Sequence, residues 1–168
     1  MSIDPYAGET GYYNVQGQTG SSPDLTVRIG SVYTFDQTDV SNWYHPVGFA
    51  FYPDGAHGAD WGGEGRAEVE GPYLSYQING AATTCPDAGD TGLDCYEPEF
   101  FYPRAVWSET SYTAELNVTQ ELAEASCGGV VYYWRGGAAG SANPERRRRR
   151  SGALPMLARW WVVGRVVA

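Results

Sequence analysis

One histidine, His45, stands where a polar loop gives way to an apolar run, and its side chain is well suited to binding a transition metal. Residues 36–42 form the polar loop, and Pro46 and an apolar stretch follow the histidine. A neutral imidazole nitrogen is a common ligand of copper, zinc and iron. We therefore predict that His45 is a metal ligand at the edge of a β-sheet. A histidine that only hydrogen-bonds to this loop is the simpler alternative.

The second histidine and a group of acidic residues have ordinary structural explanations. His57 lies in a long, acidic, glycine-rich loop over residues 55–71, and we interpret it as a loop residue. A calcium site is conceivable in another loop, but its acids lack the spacing of an EF-hand, and turn chemistry explains them equally well. These acids are Asp87, Asp90 and Asp94.

A catalytic pair of carboxylates is a further alternative, and it would resemble the pair found in glycosidases. Three glutamates follow Trp61 closely, namely Glu64, Glu68 and Glu70. Carboxylates this close in a flexible acidic loop more often form a solvated face. We therefore predict no catalytic residues.

The cysteines and one sequon indicate an oxidising compartment. Cys85 and Cys95 bracket a loop of turn-forming residues, and a disulfide between them would stabilise that loop by about 2 to 4 kcal/mol. Asn117 begins an Asn-Val-Thr glycosylation sequon. The third cysteine, Cys127, is interpreted as a small buried residue. We predict an extracellular or secretory location, although residues 1–10 do not resemble a signal peptide, so we expect the start to be incomplete.

The composition predicts an all-β fold with long loops. The chain has 13 Tyr, 6 Trp, 22 Gly and 10 Pro in 168 residues, and no helical period is sustained. A short helical turn is predicted at residues 120–126. About seven strands are expected, enough for a sandwich of two sheets, and the clearest are at residues 25–29, 32–35, 45–52, 73–78, 111–118 and 130–134.

Charge divides the chain near Trp134. Residues 1–134 carry 19 acidic residues against three arginines, whereas residues 135–168 carry eight arginines against Glu145. An acidic body disfavours nucleic acid and acidic membranes as partners. The run Arg146–Arg150 resembles a nuclear-localisation signal, but a disulfide-bearing domain has no function in the nucleus. The apolar stretch near the end has about 15 residues, which is too short to span a bilayer.

Two segments resemble a known family. YTFDQTDVSNWYHPVGF, which contains His45, and GGVVYYW, which ends at Trp134, resemble the cupredoxin-like (blue copper) domains of secreted algal-type proteins. The resemblance implies a Greek-key β-sandwich over residues 23–134, a copper cofactor, electron transfer with a redox partner protein, and His45 as the first copper ligand. It also suggests that Asn42 fixes the loop that carries His45.

The copper site is incomplete in this chain. In the family, a loop after the final aromatic strand supplies a Cys, a His and usually a Met, and here residues 135–168 contain only Met156 of these. We therefore predict an irregular lead-in at residues 1–22, with a weak edge strand at residues 12–15 as the alternative, then the sandwich at 23–134. Residues 135–168 are predicted to be a tail that is disordered or an artefact of the gene model. A metal-free sandwich for adhesion or ligand binding is the alternative function.

Overall fold

The chain is mostly β-structure, as seen in a computed structural model that describes residues 1–4, 12–43, 45, 47–51, 68–83, 104–107, 109–126, 128–135 and 162–167. The strands within these ranges are β1 Ser2–Asp4, β2 Tyr12–Asn14, β3 Leu25–Thr26, β4 Ser31–Asp36, β5 Val47–Ala50, β6 Leu74–Ile78, β7 Ala81–Ala82, β8 Tyr112–Val118, β9 Val130–Arg135 and β10 Val162–Val167. The short helices are a 3-10 turn at Val40–Asn42, α1 Arg104–Trp107 and α2 Gln120–Ala125. The all-β class is confirmed.

The first four-stranded sheet, sheet I, has the order β4-β8-β6-β7, with all neighbours antiparallel. Its central strand, β8, has the sequence YTAELNV and alternates strictly between buried and half-buried residues. Strand side chains point alternately to the two faces of a sheet, so β8 contributes one face to the core. The predicted strand at 111–118 is thus observed. Thr119 caps the following helix α2, because its side chain accepts a hydrogen bond from the Leu122 N–H.

The second four-stranded sheet, sheet II, has the order β3-β10-β9-β5. Strand β9 is antiparallel to both β5 and β10, and β10 is parallel to β3. All four residues of β5 are buried. Its outer edge is covered, since the Val69 N–H donates to the Phe49 carbonyl and Ala50 forms a bridge with Glu68. Covering an edge in this way prevents unpaired strand groups from pairing with another chain.

One core lies between the two sheets. The rings of Phe35 in sheet I and Phe49 in sheet II lie 5.0 Å apart between centroids. The Tyr76 hydroxyl of sheet I donates to the Val47 carbonyl of sheet II at 2.9 Å, within the buried interior. The sheets therefore pack face to face through aromatic side chains. Among the described residues, no helix has the length and hydrophobicity needed to cross a membrane.

Two ends of the chain differ from the predictions. Within residues 1–22, β1 and β2 form an antiparallel hairpin with Ile3 and Tyr13 buried, so the segment is not an irregular lead-in, and β2 lies where the alternative, a weak edge strand at residues 12–15, is predicted. Residues 162–167 were expected to lie in an irregular or disordered tail, but they form β10 in the middle of sheet II. Their β-branched valines favour a strand, and an ion pair between Arg165 and Asp24 joins β10 to the start of β3.

Candidate functional site at the His45 end of sheet II

A short, well-bonded loop carries the chain from β4 in sheet I to β5 in sheet II, and His45 lies near its end. Asp39 begins the 3-10 turn, and its carboxylate accepts hydrogen bonds from the Ser41 N–H at 2.9 Å and the Ser41 hydroxyl at 2.7 Å. These bonds hold the pKa of the Asp39 carboxyl below its usual value. The same chemistry, from Thr38, lowers the pKa of Asp36.

Four hydrogen bonds hold the backbone at His45 and Val47, and they come from four parts of the fold. The His45 N–H donates to the Asn42 carbonyl at 2.7 Å, and the His45 carbonyl accepts from the Tyr13 hydroxyl at 3.0 Å. The Val47 N–H donates to Gln37 Oε1 at 2.7 Å, and its carbonyl accepts from the Tyr76 hydroxyl. His45 itself is half-buried. The histidine is therefore presented on a fixed backbone.

The strand register brings His45 to the end of β9. In the antiparallel pair of β5 and β9, Val47 lies opposite Arg135 and Gly48 opposite Trp134. His45 precedes Val47 by two residues, so its backbone lies at the end of the sheet where β9 finishes. Strand β10 begins at the same end, because Val162 lies opposite Trp134. The end of β9 and the start of β10 therefore both lie at the His45 end of sheet II.

An aromatic pair, with one residue from α1 and one from β8 of sheet I, supports the loop. Trp107 and Tyr112 are fully buried and stacked, with ring centroids 3.7 Å apart and planes inclined by 11°. The Trp107 indole N–H donates to the Asp39 carbonyl at 3.2 Å. The Tyr112 backbone also contacts the loop, because its N–H donates to the Thr38 hydroxyl and its carbonyl accepts from the Gln37 N–H. Stacking and hydrogen bonds together fix the position of the 3-10 turn.

The other predicted site residues are spread apart or lie outside the described residues. Asn42 is fully buried in the 3-10 turn, where its Nδ2 donates to the Met1 carbonyl at 2.9 Å and its backbone carbonyl holds His45. Asn117 is half-buried in β8, opposite Val32 on the edge strand β4. The segments outside the description hold His57, Cys85, Cys95 and Cys127.

The residues placed at the His45 end do not fit the copper ligand set that the family resemblance implies. Within the described ranges, no group of three His, Cys, Asp or Glu side chains is close enough together to hold a metal ion. The chain has two histidines, and residues 135–168, which include the β9–β10 connection, contain neither Cys nor His. A type 1 site needs a thiolate and two imidazoles, so His45 alone cannot form one.

Three residues that hold the histidine loop were missed by the sequence analysis, namely Gln37, Tyr13 and Tyr76. Gln37 is a fully buried amide, and its Nε2 atom has no hydrogen-bond partner among the residues that the structure describes. In the sequence analysis it was included only as part of the polar loop at residues 36–42. The available signal was its place directly after a strand of alternating residues. Tyr13 acts over 32 residues of sequence, so no local pattern reveals it.

A polar groove lies beside this loop. It has a volume of about 420 Å³ and lies between the N-terminal hairpin and the end of β4. Its lining is formed by Met1, Ser2, Asn14, Val15, Gln16, Gly17, Gln18, Asp36 and Asp39.

Comparison with known proteins found no matching family model, curated protein or solved structure.

Proposed function

We propose that this chain is a cupredoxin-like domain, related to copper-binding electron-transfer proteins, whose copper site is incomplete. The Greek-key sandwich, a secretory location and descent from a protein with a redox partner belong to the same proposal. The observation that supports it is the strand register, in which His45 lies at the end of sheet II where β9 ends and β10 begins. The connection between β9 and β10 is where the family's remaining ligands would be expected.

The two segments that resemble the family agree with this arrangement, because one contains His45 and the other ends at Trp134, at the same end of sheet II. The fixed backbone of His45 is what a preorganised metal ligand requires, because a ligand held in place loses little conformational entropy on binding. No electron-transfer step is assigned to the chain, since residues 135–168 contain no Cys that could supply the thiolate. We expect the purified protein to be colourless with copper(II).

A loop graft tests the proposal. Residues 136–161 would be replaced by a short connection that carries one Cys, one His and one Met in the family's order. If the fold is cupredoxin-like, copper(II) should bind the graft with a stoichiometry near one and produce an intense visible absorption. The absorption arises from the thiolate bound to copper, so it reports the complete site.

Two matched variants accompany the graft. Replacing His45 by Ala in the graft should abolish the absorption, and replacing His57 by Ala should leave it unchanged. Circular dichroism would establish that each protein is folded. A folded graft that binds no copper, or whose colour survives the loss of His45, would show the proposal to be wrong.

The polar groove favours a second function, a metal-free module that binds a small polar ligand. Carboxylates and side-chain amides are the groups that hydrogen-bond to sugar hydroxyls, and both line the groove. A volume of about 420 Å³ is within the range of small-ligand sites. Amide resonances of residues 14–18, 36 and 39 should then shift when mono- and disaccharides are titrated. Shifts elsewhere, or none at all, would remove this candidate.

A further inference from the structure

The N-terminal hairpin, β1 and β2, holds the loop at residues 37–45, the histidine loop, through three hydrogen bonds, and the Met1 ammonium group donates a further one to the Asp36 carbonyl at the end of β4. The Ile3 N–H donates to the Ser41 hydroxyl at 2.8 Å, and the Met1 carbonyl accepts from Asn42 Nδ2. The third contact is the Tyr13 hydroxyl on the His45 carbonyl. Among the described strands, β1 and β2 pair only with each other, so these contacts are separate from the hydrogen bonds of the two four-stranded sheets.

Tyr13 is itself held rigidly. It is fully buried, and its ring lies 6.0 Å from the ring of Tyr133 on β9, at an angle of 52°. Its backbone is bonded to Ser22 twice, because the Tyr13 N–H donates to the Ser22 hydroxyl and its carbonyl accepts from the Ser22 N–H. Because the Tyr133 ring and the two bonds to Ser22 hold Tyr13 in place, the Tyr13 hydroxyl determines where the His45 carbonyl oxygen can lie.

We infer that Tyr13 is a positioning residue for His45. The direction of the Cα–Cβ bond depends on the backbone conformation of the same residue. A fixed carbonyl at His45 therefore also fixes the direction in which its side chain leaves the backbone. The hydrogen bond runs from the hairpin to the residue itself, whereas Gln37 and Tyr76 bond to Val47. The inference rests on the proposed role of His45 as the group presented at this end of the fold.

The test uses the full chain with Tyr13→Phe, which removes the hydroxyl and keeps the ring. The carbethoxylation rate of His45 by diethyl pyrocarbonate would be measured by mass spectrometry, with His57 as the internal reference. Losing one hydrogen bond should raise the His45-to-His57 rate ratio by about threefold to tenfold. The imidazole ¹H–¹³C resonance of His45 should also broaden or shift.

Tyr133→Phe is the matched control. Its hydroxyl belongs to the same aromatic pair but donates to the Pro23 carbonyl at 2.8 Å, which is outside the histidine loop. The control should lose a similar amount of thermal stability and leave the His45-to-His57 ratio unchanged. If both variants change the ratio equally, or neither changes it, Tyr13 has only a structural role and the inference is wrong.

Hydrogen exchange in the unmodified protein decides the matter if Tyr13→Phe does not fold. The amides of His45 and Tyr13 should then open together, with the same protection against exchange. Independent opening would overturn the inference. None of these measurements uses copper, so a graft that fails to bind copper while Tyr13→Phe alters His45 would refute the proposed function alone.

Discussion

Gln37 shows how one buried polar side chain can determine the path of a functional loop. It lies directly after β4 in sheet I. Its Oε1 atom accepts a hydrogen bond from the N–H of Val47, the first residue of β5 in sheet II. The bond closes the loop that carries His45. Because Gln37 and Val47 are both fully buried, water cannot replace Gln37 as the acceptor of the hydrogen bond from the Val47 N–H.

Replacing Gln37 by Leu should therefore lower the free energy of unfolding by about 1 to 3 kcal/mol, since the Val47 N–H would be left buried without a partner. Urea unfolding measures the change. Gln16→Leu serves as the control, because Gln16 is exposed and its replacement should change stability by less than about 0.5 kcal/mol. Equal effects of the two substitutions would mean that the buried bond contributes nothing.

At the level of the strands, the packing of sheet II depends on a close contact between β5 and β9. Gly48 on β5 lies opposite Trp134 on β9, and a Cβ atom at Gly48 would lie 2.7 Å from Cε2 of the indole. Trp134 is buried, so its ring has little room to move away. A glycine is needed here for space and not for an unusual backbone angle.

Gly48→Ala should destabilise the protein by about 1 to 3 kcal/mol through overpacking. The comparison variant is Gly71→Ala, because an added Cβ there meets no atom within 4 Å. Thermal unfolding of both variants, followed by near-ultraviolet circular dichroism of the buried tryptophans, provides the measurement. A neutral Gly48→Ala would show that the indole can relocate.

Strand β10 is an integral part of sheet II, and a pair of valines can demonstrate this. Val166 on β10 is 2% exposed, whereas Val32 on the edge strand β4 is 59% exposed. Val166→Ala should cost about 2 kcal/mol of stability, and Val32→Ala less than about 0.5 kcal/mol. Chemical denaturation of the two variants compares them directly. If Val166→Ala left the stability unchanged, the result would support the prediction that residues 135–168 are a tail that does not take part in the fold.

For the whole molecule, four carboxyls among the residues that the structure describes have lowered pKa values, namely Asp24 at the start of β3, Asp36 and Asp39 near the end of β4, and Glu121 at the start of α2. Hydrogen bonds from Arg165, Thr38 and Ser41 are the main causes at Asp24, Asp36 and Asp39, respectively. A carboxyl whose pKa is lower in the folded state stabilises the fold above its unfolded value, here about 3.8 for the aspartates, and this contribution is lost as pH falls through the folded value.

The protein should accordingly lose stability in acid, from about pH 4 downward. Urea midpoints measured between pH 6 and pH 2 would follow the loss, and Asp39→Asn should make the dependence shallower because it removes one titrating group. Added salt should weaken the share that comes from the exposed pair of Asp24 and Arg165. Stability that is flat across this range would contradict the prediction.

Much of the β-structure could be predicted from local pattern, and most of the site could not. Alternation in SYTAELNV and the aromatic run before Trp134 identified β8 and β9, because a strand between core and solvent repeats every two residues. Strand β10 was missed because the linker composition at residues 136–145 and the run Arg146–Arg150 led us to interpret all of residues 135–168 as a tail. Tyr13 and Gln37 act through single long-range bonds, which leave no periodic trace in sequence.

The central place of β10 has a consequence for synthesis on the ribosome. Strand β3 pairs with β10, and the contact between Asp24 and Arg165 joins residues 141 positions apart. Contacts of such large sequence separation slow folding, because a long stretch of chain must close before they form. Sheet II can therefore be completed only after residues 162–167 have been translated, and until then the nascent chain exposes strands that chaperones would need to shield.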